Sequence, residues 1–360
     1  MKPKYIVFKP VVKITGNYCN LRCEYCFYNG MDQQTKTVMS FSLLKKFITQ
    51  FLEMYPTKDV KIVWHGGEPL LAGIDYFTEI VKLQKSLTNA DVSNLLQTNA
   101  TLISEDWISF FKENDFRIGL SLDGGKESHN LHRKGVSGKG TFEKVIKKIK
   151  MCKESDLHIG LIQTMTLDNS SRWEKDWEYI YSELGQKNWA TNVFEMSSTF
   201  DKHKHLAVSD LKSIEMYKRL IDFWMKKNDP KLLIRDIDDY VAGAMGYRSK
   251  GCSYNNTCGN YFCLDIDGAI YPCDRFSFNP ESSWGNLNTQ NLKDILLGEK
   301  ALSFIEKARS VHGDCKECEW LNMCNNGCSA MLDENGKYIY CETRKQTFAH
   351  VRNLINAERG

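Results

Sequence analysis

Apolar residues recur along this chain with two periods, and the alternation of those periods organises its first part. Strands are predicted over Tyr5–Thr15, Val60–His65, Asn94–Thr98, Arg117–Asp123, His158–Thr166 and Ala190–Met196. Between them the apolar spacing becomes helical. Leu44, Phe47, Ile48 and Phe51 share one face, and so do Phe142, Val145, Ile149 and Cys152. Ser104 is placed to cap a helix carrying Trp107, Ile108 and Phe111. Strand followed by helix, six times over, calls for parallel strands joined by right-handed crossovers. Six units rather than eight predict an α/β fold, an open partial (β/α)6 TIM-like barrel. Its sites belong at the C-terminal ends of the strands.

A long amphipathic helix follows, from a cap at Ser209 to Asn228. Leu211, Ile214, Tyr217, Ile221 and Trp224 form its predicted stripe, and it bridges barrel and tail. From Gly251 the pattern changes to short hairpins among cysteines. Leu264–Tyr271 turns at Asp267-Gly268, and Leu332–Tyr340 at Asn335-Gly336, pairs that suit type I′ turns. Hairpins with so little core need a staple, which metal ligation supplies. The expected division is a barrel with its bridging helix over 1–230 and a cysteine-rich domain of hairpins and small helices over 231–360.

Composition narrows the chemistry. With 42% hydrophobic residues in 360, a sizeable core is available, and a net charge of +3 gives no reason to expect nucleic acid or an anionic membrane as partner. No apolar run approaches the ~18 residues that a membrane span needs. Thirteen cysteines without a secretory signal argue for metal or redox chemistry in a reducing compartment, so a cytoplasmic location is expected.

Three of those cysteines, Cys19, Cys23 and Cys26, stand at C-x3-C-x2-C spacing directly after the first strand. A cubane cluster on four thiolates is coordinatively closed. On three, one iron keeps an open position, the logic that separates catalytic from structural zinc sites. A zinc site short of one ligand, or buried thiols, are the alternatives. Trp64-His65-Gly66-Gly67-Glu68-Pro69 leaves the second strand; Gly66 and Gly67 let backbone approach a ligand, and Glu68 offers a carboxylate to an ammonium group. An ordinary turn would explain it equally well. Gln97-Thr98-Asn99 and Ser121-Leu122-Asp123-Gly124 put polar groups at the next two strand ends, where capping also accounts for them. In the tail, Cys252, Cys258, Cys273, Cys315, Cys318, Cys324, Cys328 and Cys341 supply eight thiols, enough for two closed clusters or a pair of zinc-ribbon knuckles. Cys152 falls on a helix's apolar stripe and reads as core, and Cys263 has no assignment. Asp274, next to Cys273, is either a proton acceptor or a turn residue.

The cysteine loop, with aromatic Phe27 after its last thiol, resembles the signature of the radical S-adenosylmethionine (SAM) superfamily, and Gly66-Gly67-Glu68-Pro69 resembles its GGEP motif. The tail pattern resembles the SPASM extension of peptide-modifying members. Together they are similar to anaerobic sulfatase-maturing enzymes, which oxidise a cysteine or serine to Cα-formylglycine. The resemblance implies SAM and three [4Fe–4S] clusters. Cys19, Cys23 and Cys26 would hold the first cluster. Cys252, Cys258, Cys273 and Cys328 would hold the second, and Cys315, Cys318, Cys324 and Cys341 the third. It implies SAM contacts at Tyr25, Gly66, Gly67, Glu68, Ser121 and Arg133, and Asp274 as the base. The implied partners are a peptide or unfolded protein (a sulfatase or a ribosomal precursor peptide) and a flavodoxin- or ferredoxin-type electron donor. His65, where a glutamine is usual, and Ser329-Ala330-Met331, in place of an arginine-rich run, depart from the pattern. They keep a maturase of ribosomal peptides, forming crosslinks or epimers, as the alternative. A non-catalytic iron–sulfur electron carrier or sensor is a third reading, and it leaves Gly66–Pro69 without a purpose.

Overall fold

The computed structural model describes residues 6–28, 36–57, 59–87, 91–195 and 203–359. In chain order the first elements are β1 (Lys9–Lys13), α1 (Phe41–Glu53), β2 (Val60–His65), α2 (Ile74–Leu87), β3 (Val92–Thr98), α3 (Glu105–Glu113) and β4 (Arg117–Ser121). Next come α4 (Lys126–His132), α5 (Phe142–Glu154), β5 (Ile159–Met165), α6 (Trp173–Glu178), β6 (Asn188–Val193) and α7 (Asp210–Lys227). The remainder holds β7 (Leu233–Ile234), α8 (Arg235–Ala244), β8 (Tyr261–Leu264), β9 (Ala269–Tyr271), β10 (Gly285–Asn286), α9 (Leu292–Leu296), α10 (Glu299–Arg309), α11 (Leu321–Cys324) and α12 (Cys341–Arg359). The second to fifth expected strands stand within two residues of their observed ends, whereas the first begins four residues later than expected and the sixth ends three residues earlier. Tyr5 and Met196 lie outside the described residues.

Packing divides the chain into two compact units, one of residues 1–121, 132–159 and 259–307, the other of residues 122–131, 160–258 and 308–360. In the first unit, β8, β1, β2, β3 and β4 run parallel, and β9 and β10 add an antiparallel edge beyond β8. Apolar residues on the inner face of α1, with Phe47 against Phe51 and Phe262, fill the space over β1 and β8. Ser104 caps α3 by accepting from Trp107 N at 3.3 Å, as its position predicts. In the second unit β5, β6 and β7 are parallel. No helix among the described residues is long and apolar enough to cross a membrane.

Two expectations change. Ser209 does cap α7, accepting from Lys212 N at 3.2 Å, but the buried face runs through Ser213, Met216, Leu220, Ile221 and Phe223; of the expected stripe only Ile221 is buried, and Leu211 is 76% exposed. The helix carries two adjacent apolar stripes, about 100° apart on a 3.6-residue period. Packing of Phe223 on Trp177 chooses the one that periodicity could not. The hairpin turns are not type I′, which needs positive φ at both central residues. Gly268 and Gly336 are left-handed, whereas Asp267 and Asn335 are not. Gly268 N donates to Asp265 O and Asp265 N to Ala269 O, a type I turn closed by a left-handed glycine. The second turn repeats this at Asp333 and Gly336. Its flanks make a single bridge, Leu332 to Tyr338, rather than a ladder.

Candidate active site

The cysteine loop leaves β1 and is tied down on two sides, all within the first unit. Arg22 N donates to Lys134 O at 2.8 Å and Glu24 N to His132 O at 3.0 Å, fixing the loop against the segment after α4. On the other side Asn20 Nδ2 donates to Thr101 Oγ1, and Asn99 Nδ2 donates to Asn20 Oδ1. Cys19 Sγ accepts from Leu21 N at 3.4 Å and Asn99 Nδ2 at 3.6 Å. Burial first, then the neighbouring Glu68, pushes the Cys19 thiol up to about 12. A thiolate there calls for a cation, and iron meets that demand.

Gly67 explains the second motif. A Cβ at this position would collide with the Tyr18 carbonyl, so only glycine lets the turn after β2 lie against the cysteine loop. Gly67 N and Glu68 N donate to Gly16 O and Tyr18 O. Gly66, at φ +117, supplies the bend. Glu68 is wholly buried. It accepts from Leu70 N, Thr98 Oγ1 and Asn99 N at 3.1, 2.7 and 2.8 Å. Burial still outweighs those bonds and lifts its carboxyl to about 7. In this structure Glu68 locks the end of β3 to the glycine turn. Ser121 Oγ accepts from Gln97 Nε2 at 3.1 Å, joining the ends of β3 and β4. Tyr25 is clasped by Arg133, whose guanidinium carbon lies 5.5 Å from the ring centroid, and by His132 edge-on at 5.4 Å. The residues expected to meet SAM thus come together in one unit.

One residue of this unit escaped the sequence reading. Lys13, the last residue of β1, is fully buried. Its Nζ lies 3.3 Å from Asp274 Oδ1 and 4.0 Å from Asp265 Oδ2, and donates to Ser277 Oγ at 2.5 Å. The rings of Phe278, Tyr28 and Phe27 enclose the ammonium, with centroids 4.6, 5.1 and 5.9 Å away. Burial alone would strip the proton from Lys13; Asp274 foremost, then Tyr28, Cys263 and Asp265, holds its charge instead. Burial would likewise raise Asp274, but Lys13 and then His65 outweigh it and bring the carboxyl below its ordinary value. Asp274 keeps 32% side-chain exposure, enough to meet a substrate. His65 pairs in register with Lys13 on β2, and burial holds its ring toward the neutral form. A lysine at the end of the Val11-Val12 stretch, in a largely apolar run, was the available signal. Cys263, packed with Ala269 and Tyr271, and Cys152 are both core thiols with no exposure.

In the second unit the tail cysteines gather. Burial raises Cys315, Cys324 and Cys341; neighbouring cysteines add to this, whereas Arg344 opposes it at Cys324 and Lys345 at Cys341. Among the described residues, no three side chains of ligating type converge as on a single ion. A cubane asks for something else, one thiolate on each iron. Between Cys324 and Cys328, Asn325, Asn326 and Gly327 are all left-handed. A Cβ on Gly327 would strike the Tyr338 ring, so this turn needs glycine there. Cys252 follows Gly251, whose amide donates to Asp239 Oδ1 at 2.9 Å. Cys258 Sγ stands 2.9 Å from Ser329 Oγ. In the first unit, Cys273 is extended and leads into the short turn of Asp274–Phe276.

Comparison with known proteins now decides the family. The radical SAM superfamily profile matches residues 13–176, and the SPASM iron–sulfur cluster-binding domain matches 252–319. A serine-type anaerobic sulfatase-maturating enzyme of Bacteroides thetaiotaomicron is 30% identical over 97% of this chain and 90% of its own. The chain belongs to this family. A cysteine-type counterpart from Clostridium perfringens is 29% identical over 99% and 98%. The solved structure of native anSMEcpe with bound AdoMet and Cp18Cys peptide superposes with a TM-score of 0.86 at 29% identity, covering 98% of this chain and 99% of that one. The enzyme therefore has the α/β fold expected, parallel strands alternating with helices as in the radical SAM partial barrel, with a SPASM domain. An electron carrier without catalysis is set aside.

Proposed function

We propose that the enzyme oxidises the Cβ of a cysteine or serine in a sulfatase peptide, giving Cα-formylglycine. One observation carries the reading: Asp274, partly exposed and held ionised by Lys13, shares a compact unit with the cysteine loop and the glycine turn. In this reading Cys19, Cys23 and Cys26 hold a [4Fe–4S] cluster, and Tyr25, Gly66, Gly67, Glu68, Ser121 and Arg133 form the SAM site. Residues 1–230 carry that chemistry. Residues 231–360 hold two further clusters, one on Cys252, Cys258, Cys273 and Cys328, the other on Cys315, Cys318, Cys324 and Cys341. The chemistry that the bound cluster and SAM supply is removal of a hydrogen atom from the substrate Cβ by a 5′-deoxyadenosyl radical. The rest falls to the chain. Asp274 accepts the proton that the thiol or hydroxyl gives up as Cβ is oxidised; the one remaining electron would pass to the clusters held by residues 231–360, and for cysteine water would then replace the sulfur, which leaves as sulfide. Lys13 keeps the carboxylate charged and aimed, and the Gly67 turn fixes the loop beside which SAM lies. The substrate partner is a sulfatase segment, and a flavodoxin- or ferredoxin-type protein delivers the reducing electron.

The departures at His65 and Ser329–Met331 support the second reading, modification of a ribosomal precursor peptide. Met331 is buried against Tyr338 and Tyr340, so this stretch serves the core where charged side chains would face outward. The test is the reduced enzyme with SAM and a Cys-x-Pro-x-Arg peptide, followed by mass spectrometry. Formylglycine with deoxyadenosine is expected from the wild type, and neither product from Cys23→Ala. Deoxyadenosine with an unchanged peptide would move the second reading ahead.

A further inference from the structure

Arg344 lies on the first turn of α12 and is 4% exposed. Its Nη2 donates to Ser253 Oγ at 3.0 Å and its Nη1 to Ser253 O at 3.3 Å. The guanidinium carbon sits 3.3 Å above the Tyr254 ring and 5.3 Å from that of Tyr338. Among the described residues no carboxylate pairs with it, and its other neighbours are phenols and the thiol of Cys324. A buried cation left without an anion costs several kcal/mol. Phenols and a protonated thiol do not offset that, but four cysteinates around a cubane carry the missing negative charge.

We infer that Arg344 is a positioning residue whose charge balances the auxiliary cluster proposed at Cys315, Cys318, Cys324 and Cys341 and biases it toward its reduced state. The inference rests on the three-cluster reading. Two features set the charge where it acts. Ser253 and the Tyr254 face fix the guanidinium, and Cys324 is among its neighbours, so the positive charge is held near one proposed ligand and out of solvent. A fixed cation near a thiolate-bound cluster raises its reduction potential, since reduction adds a negative charge.

The experiment is a redox titration of the fully reconstituted enzyme, followed by electron paramagnetic resonance, with iron counted per chain. In Arg344→Met with full iron, the ratio of reduced to oxidised auxiliary cluster at a fixed solution potential should fall at least tenfold, about 59 mV for one electron. Arg344→Lys, which keeps the charge, should stay within about threefold of wild type. An unchanged ratio in Arg344→Met with full iron overturns the inference. Should Arg344→Met lose iron, the lysine variant decides. Full iron with a near-wild-type ratio supports the charge, whereas lost iron or a tenfold fall refutes it. Wild-type enzyme holding only one cluster's worth of iron would sink the three-cluster reading itself, and Arg344 with it.

Discussion

The two units treat a buried positive charge in opposite ways. In the first, Lys13 is enclosed by the chain's own anions, Asp274 at 3.3 Å and Asp265 at 4.0 Å, under a lid of three rings. In the second, Arg344 is buried to a similar degree among Tyr254, Tyr338 and Cys324, and no carboxylate pairs with it. The difference is one of where the balancing charge comes from. The first pocket is complete as folded, so Asp274 is poised before any ligand arrives. In the three-cluster reading the second would be complete only when metal ligation turns its thiols into thiolates, which would make ligation part of its folding energy. A site that works on changing substrates benefits from the first arrangement, and a site that holds a resident metal group from the second.

Breaking the first pocket at its acid should have the largest effect. Asp274→Asn keeps the shape and removes the base, so SAM cleavage should persist and peptide oxidation should fall by ~10²–10⁴-fold. Parallel assays of deoxyadenosine and modified peptide measure both. Equal peptide rates in variant and wild type would remove Asp274 from the mechanism.

Breaking the same pocket at its cation should be felt first as stability. Lys13→Met leaves two partly exposed carboxylates without their cation, so the cost should fall below the ~3–5 kcal/mol of a fully buried pair. The double variant Lys13→Met, Asp274→Asn should recover part of that loss, because one of the stranded charges has gone. Anaerobic thermal melts of the three proteins make the comparison. A double variant less stable than Lys13→Met alone would mean that the pair is not what holds the pocket.

Much of this was legible in the sequence, for a physical reason. Val60–His65, the Ser104 cap and the Ser209 cap follow from local rules of period and hydrogen bonding, and they stand where those rules put them. The three-cysteine loop and Gly66–Pro69 were readable because their chemistry depends on spacing along the chain. Lys13 and Arg344 were not. Each matters through partners far away in sequence, Asp274 for one and Ser253, Tyr254 and Cys324 for the other, which no window brings together. The α7 stripe was right only at Ile221 for a related reason, since the packing of Phe223 on Trp177 picks between two faces that look alike to periodicity.

The smallest expected effect sharpens the comparison from the other sign of charge. Asp176, in the second unit, is 4% exposed and accepts from Gly125 N at 2.8 Å. Burial, opposed by Ser128, Gly125 and Arg172 and aided by the charge of Asp123, lifts its carboxyl to about 6 from an ordinary 3.8. A raised carboxyl favours the fold while it stays protonated. Its contribution is therefore whole below pH 3.8 and is lost as pH rises through about 6, because the unfolded chain gives up that proton first. At pH 7.5 the folded enzyme carries a disfavoured anion, worth about 1–3 kcal/mol at one pKa unit per 1.36 kcal/mol. Asp176→Asn keeps an oxygen for the Gly125 amide and removes the charge, so it should melt a few degrees higher than wild type at pH 7.5. At pH 4 the gap should close. If the variant melted lower at both values, the carboxylate would be stabilised where it lies, and the second unit would be balancing its charges as the first one does.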